Sequence, residues 1–397
     1  MKQKLRYFKP LLLASVLGLS FAQPVFAQNS EWEKANSYLK QENYDAALPL
    51  VKAQAEKGNV DAQAELGFLY VYGEKLGTKK DYTEAVKWSR IAAEKGNARA
   101  QANLSVYYRE GIGTKVDYAE ALKWAKKSAA QNYANGQVNL GVLYEHGYGV
   151  KQDYLKAAKL YRKAAEQGFS DGQANLALIY TYGRGVKRDY AEGMKWNLKA
   201  AEQGNAWGQR NIGLMYKDGL GVKQDYAEAA KWYRKAAEQG DVYGQRNLGN
   251  MYRDGKGVKQ DYAEAVKWFR KAAEQGYSKA QVDLGFAYEH GEGVKQDYAE
   301  AAKWYEKAAA QGDDWGQHNL GLMYEFARGG YPKDYAKALE LYKKSAAQNN
   351  DWAQRRIGLF FKDGKGVKQD YAEAAKWYKK ACDNGYKKAC EDYQQLK

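Results

Sequence analysis

Apolar and small residues recur along most of the chain with the three- and four-residue spacing of amphipathic helices. In the segment from Gly204 to Gly240, Ala206, Ile212 and Tyr216 fall on one face of a first helix, called helix A below. A glycine-rich stretch then interrupts the spacing. The pattern therefore predicts a helix that ends at a turn.

A second helix, called helix B, follows each turn and begins at an acidic residue. Asp225 stands at the expected N-cap position, and Glu228 three residues later has the spacing of a capping box. Trp232 and Ala236 continue the helical spacing up to Gly240, which suits the left-handed residue after a helix C-terminus. Two units carry asparagine there, which tolerates this conformation: Asn132 and Asn349.

This helical pair repeats with a nearly constant period, marked by an Asp-Tyr dipeptide at the start of helix B. The dipeptides are Asp81-Tyr82, Asp117-Tyr118, Asp153-Tyr154, Asp189-Tyr190, Asp225-Tyr226, Asp261-Tyr262, Asp297-Tyr298, Asp334-Tyr335 and Asp370-Tyr371. The step is 36 residues, with a single step of 37. With a degenerate unit at 28–58 and a capping helix at 386–397, the period predicts one all-α array over 28–397, of about ten hairpins.

Two columns of the repeat keep the size of their residue and therefore indicate core packing. A small residue of helix A recurs at Gly67, Ser105, Gly141, Ala177, Gly213, Gly249, Gly285, Gly321 and Gly358. A large apolar residue of helix B recurs at Trp88, Trp124, Leu160, Trp196, Trp232, Trp268, Trp304, Leu341 and Trp377. Because each layer of a stack must fill the same space, we expect the large residues to lie in the core. At the small residues, we expect the backbones of neighbouring helices to approach closely.

The combined pattern resembles the Sel-1-like repeat family, a relative of the tetratricopeptide repeats. It reads Ala-x-x-Gly-Gln-x-Asn-Leu-Gly, then Tyr, then Gly-x-Gly-Val-x-x-Asp-Tyr-x-x-Ala-x-x-Trp-Tyr-x-Lys-Ala-Ala-x-x-Gly. The resemblance covers nearly the whole chain after the first residues. It implies an α/α superhelical solenoid, right-handed, with one broad concave surface lined by the A helices.

The first residues have the composition of a secretory signal. A basic stretch precedes an apolar run at 11–22, and small residues at Val25 and Ala27 suit cleavage after Ala27. We therefore expect residues 1–27 to be a signal peptide and the mature chain to be periplasmic or secreted, with no membrane span after cleavage.

The net charge also bears on the partner. The formal charge of +15 includes four basic residues and no acidic residue within 1–27, so the mature chain keeps 15 − 4 = +11. For an exported protein, we expect this positive charge to attract anionic envelope surfaces, acidic proteins or anionic glycans, rather than nucleic acid.

Catalytic chemistry is poorly supported. The chain has three histidines, His146, His290 and His318, and their spacing offers no shared metal site or triad, so no cofactor, no metal and no catalytic residue are predicted. Resemblance to the cysteine-rich branch of the family implies penicillin binding and weak β-lactam hydrolysis as one alternative function. No nucleophile is identified for it.

The two cysteines belong to the terminal unit. Cys382 lies at the end of a helix B, and Cys390 lies at the start of the next helix, so the two thiols should face each other across the turn. For an exported chain, this placement predicts a disulfide. It is similar to the bridges of the cysteine-rich branch.

Function in an array must lie where the units differ. The third residue after the turn is aromatic in four of the last six units, at Trp207, Tyr243, Trp315 and Trp352. One helical turn later stand Arg210, Arg246, His318 and Arg355. These eight residues could form a partner-binding surface, since aromatic and arginine side chains are typical of binding hot spots. Alternatively, the rings pack between adjacent A helices or over the turn.

These observations favour an exported, non-catalytic scaffold. The family resemblance implies an adaptor, a regulator, or an inhibitor or immunity protein that binds a protein or peptide in the bacterial envelope. Peptidoglycan or anionic-glycan binding is the second hypothesis, because aromatic rings beside arginines also suit a glycan.

Overall fold

In a computed structural model, residues 30–73 and 79–396 are described, and they form helices and turns without a strand. The signal peptide predicted at 1–27 lies outside the described residues. The helices are α1 (Ser30–Lys40), α2 (Tyr44–Glu56), α3 (Val60–Tyr72), α4 (Tyr82–Glu94), α5 (Ala98–Glu110), α6 (Tyr118–Ala130), α7 (Ala134–His146), α8 (Tyr154–Glu166), α9 (Ser170–Tyr182), α10 (Tyr190–Glu202), α11 (Ala206–Asp218), α12 (Tyr226–Glu238), α13 (Val242–Asp254), α14 (Tyr262–Glu274), α15 (Ser278–His290), α16 (Tyr298–Ala310), α17 (Asp314–Phe326), α18 (Tyr335–Ala346), α19 (Asp351–Asp363), α20 (Tyr371–Asp383) and α21 (Lys387–Gln394). Odd-numbered helices are the A helices and even-numbered ones the B helices, so the predicted all-α class is confirmed.

The chain divides into two compact units, Met1–Gly208 and Gln209–Lys397. Within each unit, hairpins stack so that an A helix packs on its own B helix and on the B helix before it, as α3 does on α4 and α2. Successive A helices also contact each other, as α5 and α7 do in the first unit and α15 and α17 in the second. Among the described helices, successive B helices make no comparable contact, so the A helices are the more closely spaced layer.

The predicted caps form, with one difference. Asp261 accepts hydrogen bonds at the N-terminus of α14, including 2.9 Å from the backbone N–H of Glu264. The Glu264 carboxylate does not complete a capping box in the structure. It accepts hydrogen bonds from Lys267 and, at 3.1 Å, from the indole Nε1 of Trp268. The equivalent acid accepts the indole hydrogen bond of Trp88, Trp124, Trp196 and Trp377 as well, whereas Trp304 Nε1 has no partner among the described residues.

The left-handed turn positions are also as predicted. Gly240 has φ +80°, and the asparagines that replace glycine, Asn132 and Asn349, have φ +59° and +66°. Five members of the large column are buried, namely Trp124, Trp196, Trp268, Trp304 and Leu341, and the other four, Trp88, Leu160, Trp232 and Trp377, are half-buried. The column therefore belongs to the core in five of the nine repeats.

The small column has a different cause from the one expected. At Gly285, an added Cβ would lie 2.6 Å from the Cε1 atom of Tyr305 on α16. Rings of Tyr161, Tyr233, Phe269, Tyr342 and Tyr378 lie on the equivalent glycines in the same way. Six of the seven glycines of this column therefore admit an aromatic ring of helix B, so direct backbone contact is not the general reason. At Gly67 an added Cβ would instead meet Ser89 and backbone atoms of α4.

Candidate functional site

Two tryptophans of the second unit are exposed beside each other at the N-terminal ends of α17 and α19. Trp315 is 36% exposed and Trp352 47% exposed, and their ring centroids lie 6.1 Å apart. Trp352 also stacks on Tyr386, at 4.8 Å between centroids. We call Trp315, Trp352 and Tyr386 the aromatic strip. It runs across three consecutive repeats, because each repeat contributes one ring.

The other two predicted aromatic residues are less exposed. The Tyr243 ring packs on that of Tyr277, with centroids 4.7 Å apart, and the guanidinium of Arg210 lies 4.9 Å from its centroid. Trp207 belongs to the first unit and is half-buried. The packing alternative considered from the sequence therefore describes Tyr243 better than the binding alternative does.

The three predicted arginines are ion-paired with aspartates of the following repeat. Arg210 Nη1 lies 3.5 Å from Asp241 Oδ2. Arg246 donates two hydrogen bonds to Asp283, at 2.5 Å and 3.3 Å. Arg355 donates to Asp392 at 2.6 Å. These three arginines were considered for partner binding from the sequence, and in the structure each of them binds an aspartate of the next repeat.

The pKa of Arg246 agrees with this role. Burial acts to lower it, but the charge of Asp283 and the hydrogen bonds to its carboxylate raise the pKa above its ordinary value. The guanidinium is held in its charged form by a structural partner.

His318 must be removed from the candidate surface. It is 2% exposed and packs between Trp315 and Tyr342, with ring centroids 5.7 Å and 5.5 Å away. Burial, and then the positive charge of Arg356, lower the pKa of its imidazole to about 3. A neutral, buried ring cannot serve as an exposed cation for a partner.

Two exposed aromatic residues escaped the sequence analysis. Phe286 on α15 is 40% exposed and Phe326 at the end of α17 is 43% exposed. His290 stacks on Phe286 at 4.0 Å, and the guanidinium of Arg356 lies 5.4 Å from the Phe326 centroid. A signal was available, because Phe326 lies eleven residues after Trp315 and therefore on the same helical face.

Reactive and membrane-spanning features are scarce in the described part of the chain. No group of three or more His, Cys, Asp or Glu residues there could hold a metal ion. None of the described helices has the length and apolarity to cross a membrane. Cys382 and Cys390 form a disulfide, with Cα atoms 4.7 Å apart, that links α20 to α21.

Comparison with known proteins agrees with the geometry of the hairpins. The model of the Sel1 repeat matches nine times, at residues 60–97, 98–133, 134–169, 170–205, 208–241, 242–277, 278–313, 316–350 and 353–386. The chain belongs to the Sel1 repeat family. A Sel1 repeat array is a scaffold suited to protein–protein interaction.

Solved Sel1 repeat structures share the fold. The protective antigen c5321 of uropathogenic Escherichia coli is 38% identical, with a TM-score of 0.51 over 88% of this chain and 82% of that one. A Sel1 repeat protein from Oxalobacter formigenes is 31% identical, with a TM-score of 0.52 over 62% of this chain and 96% of that one.

A curated human relative matches over a shorter stretch. Protein sel-1 homolog 2 from Homo sapiens is 37% identical over 100 residues, which are 25% of this chain. The match spans 14% of the human protein, so it concerns the repeats alone.

Proposed function

We propose that this Sel1 repeat protein is an exported scaffold that binds a protein or peptide of the bacterial envelope through the A-helix face of its second unit. Its role would be that of an adaptor, a regulator, or an inhibitor or immunity protein. The observation that carries the proposal is the pair of exposed tryptophans, Trp315 and Trp352, in contact on adjacent repeats. Exposed aromatic rings held on a rigid scaffold are typical of the centre of a protein interface.

The length of the face suits a short peptide segment. Trp315 and Phe326 mark the two ends of α17, about 16 Å apart along the axis at ~1.5 Å per residue. Leu322 lies between them and is half-buried. An extended peptide of about five residues would cover this distance at ~3.3 Å per residue. The face therefore suits a segment with an apolar side chain at each end.

The charges of the same face favour a protein over an anionic glycan. Arg210, Arg246 and Arg355 are the cations nearest to the predicted aromatic positions in the sequence, and each has an aspartate partner. Binding an anionic polymer there would require breaking these pairs, which leaves buried or half-buried carboxylates without a partner. An apolar side chain on the tryptophans requires no such exchange.

Export is part of the proposal. It rests on the predicted signal peptide at 1–27 and on the predicted disulfide chemistry of an oxidising compartment. A periplasmic or secreted location would bring the face into contact with envelope proteins.

The test is affinity capture from an envelope fraction with the mature protein as bait. We expect Trp315→Ala/Trp352→Ala to capture at least about tenfold less of the partner. Truncating two anchor residues of an interface commonly weakens the binding free energy by about 2 kcal/mol or more. The matched control is Leu155→Ala/Leu198→Ala, which removes two exposed apolar side chains from the B helices α8 and α10. Capture should be unchanged in the control.

Two results would contradict the proposal. One is the same set of captured proteins for the tryptophan variant and the wild type. The other is sedimentation of the wild type with purified cell-wall sacculi that depends on Trp315 and Trp352, which would support the glycan hypothesis instead.

A further inference from the structure

The first unit contains a polar cavity that the proposed interface does not use. It has a volume of about 220 Å³ and lies between α1, α3 and α5, on the side of the A helices. Trp32 of α1 forms an aromatic wall, and Asp61 and Glu65 of α3 supply carboxylates. We call this cavity the Trp32 pocket.

A small residue of the repeat lines the cavity. Ala64 is the sixth residue after the turn glycine. The same column carries Ala102, Val138 and Ala174 in the rest of the first unit, and Arg210, Arg246, Val282, His318 and Arg355 in the second. No long side chain from this position therefore enters the Trp32 pocket.

The charges in the pocket do not balance. Arg99 Nη1 donates to Glu65 Oε2 at 2.5 Å, so these two groups neutralise each other. Asp61 accepts a neutral hydrogen bond from Asn97 Nδ2 at 2.9 Å, and it forms no ion pair with any described residue. One carboxylate charge, that of the exposed Asp61, therefore remains in a cavity that Trp32 also lines, and a carboxylate with an aromatic ring is the combination that attracts a cation.

The second unit shows how its own arginines satisfy a similar set of groups. Arg210 lies 4.9 Å from the Tyr243 centroid and 3.5 Å from Asp241. Arg355 lies 5.8 Å from the Tyr386 centroid and 2.6 Å from Asp392. In both cases the guanidinium stands between a ring and an aspartate. The Trp32 pocket likewise contains a ring and an aspartate, here Trp32 of the preceding repeat and Asp61 of the same repeat as Ala64, and no described guanidinium forms an ion pair with that aspartate.

We propose that the Trp32 pocket binds a guanidinium group supplied from outside the chain, in the form of an arginine side chain of a partner protein. The guanidinium would lie against the face of Trp32 and donate hydrogen bonds to Asp61. Its planar fork suits a carboxylate better than an ammonium does. This inference does not depend on the aromatic strip of the second unit, so either proposal can fail without the other.

The test uses 19F NMR of the mature protein labelled with 5-fluorotryptophan, with the Trp32 resonance assigned by Trp32→Phe. Titration with N-acetyl-arginine amide should shift the Trp32 resonance saturably. The neutral isostere N-acetyl-citrulline amide should not. Asp61→Asn should weaken arginine binding at least about tenfold, because a hydrogen bond to a charged group is lost.

Asp171→Asn provides the matched control. Asp171 stands in the same column as Asp61 and likewise accepts a hydrogen bond from an asparagine of the next repeat, Asn205, at 2.8 Å. Binding should be unchanged in this variant. Equal binding of citrulline and arginine, or an unchanged dissociation constant in Asp61→Asn with the other tryptophan resonances in place, would overturn the proposal.

Discussion

At the scale of single residues, His318 shows how a column of the repeat changes character with its neighbours. Its column carries Arg210, Arg246 and Arg355 in three other repeats, each bonded to an aspartate of the next repeat, and Val282 in the repeat immediately before it. His318 is instead enclosed by Trp315 and Tyr342, and its Nδ1 has no hydrogen-bond partner among the described residues. The imidazole is therefore kept neutral, and its pKa is lowered to about 3.

This burial predicts an acid-dependent loss of stability. The unfolded chain binds a proton at His318 near the ordinary histidine pKa of about 6.5, whereas the folded chain does not bind it until about pH 3. The free energy of unfolding therefore falls as the pH drops through this window. The contribution of His318 to this loss is about 2 kcal/mol between pH 7 and pH 5. Denaturant unfolding at both pH values should show a smaller loss for His318→Leu than for the wild type.

A histidine on the surface supplies the comparison. His146→Gln removes an exposed imidazole that contacts a carbonyl of its own helix, Val142 O, at 3.1 Å. This variant should keep the wild-type difference between pH 7 and pH 5. If His318→Leu kept it as well, the buried imidazole would not be the cause.

At the scale of helix pairs, the glycine of helix A and the ring of helix B act as one unit. Gly285 lies under Tyr305, which is fully buried and donates a hydrogen bond to Glu289 at 2.8 Å. In repeats where helix A carries Ser105 or Ala177 instead of glycine, the corresponding position of helix B is Ala125 or Asn197. Residue size is thus exchanged between the two helices, and their spacing is kept.

Gly285→Ala should therefore destabilise the second unit. Alanine is the better helix former by about 1 kcal/mol, but its Cβ would meet a ring that is held in place, and overpacking typically costs 1–3 kcal/mol. We expect a net loss of about 1 kcal/mol or more by equilibrium unfolding. In a Tyr305→Asn background, which copies the pair Ala177 and Asn197, the same substitution should be neutral or stabilising. An equal loss in both backgrounds would exclude the steric explanation.

This pairing also explains why the sequence predicted the helices better than the candidate surface. The aspartate caps depend on contacts within one repeat, and the tryptophan column recurs at the same position of most repeats, so the sequence is enough to identify both. The exposure of Trp315 and the ion pair of Arg355 depend on residues about 36 positions away, as Asp392 illustrates. Phe286 was missed because its column is apolar in most other repeats, as at Val106 and Leu322, where the side chain is less exposed. Phe326 stands in a column that is mostly polar elsewhere, as at Asp254 and His290, so its exposure could have been predicted.

At the scale of the whole molecule, both units are built from the same contacts, and their A-helix faces differ in chemistry. The third residue after the turn is Asp61, Arg99, Asn135, Asp171 and Trp207 in the first unit, and Tyr243, Lys279, Trp315, Trp352 and Lys388 in the second. A stack of this kind is stabilised mainly by contacts between neighbouring repeats. Among the described helices, α21 has other helices packed on one side only, so it is expected to open before the inner helices do.

The disulfide should therefore act on the C-terminal end of the second unit. Cys382 on α20 and Cys390 on α21 are eight residues apart. In the chain-entropy model, closing such a short loop stabilises the folded state by about 2 kcal/mol. Hydrogen exchange of the mature protein should show that Cys382→Ala/Cys390→Ala loses protection in α21 and keeps it in α13 to α16. Lys379→Ala, which removes an exposed ion pair with Asp383 near the bridge, should leave α21 protected. Two free thiols in the unreduced mature protein, or equal protection of α21 with and without the cysteines, would show that the bridge does not hold the end of the stack.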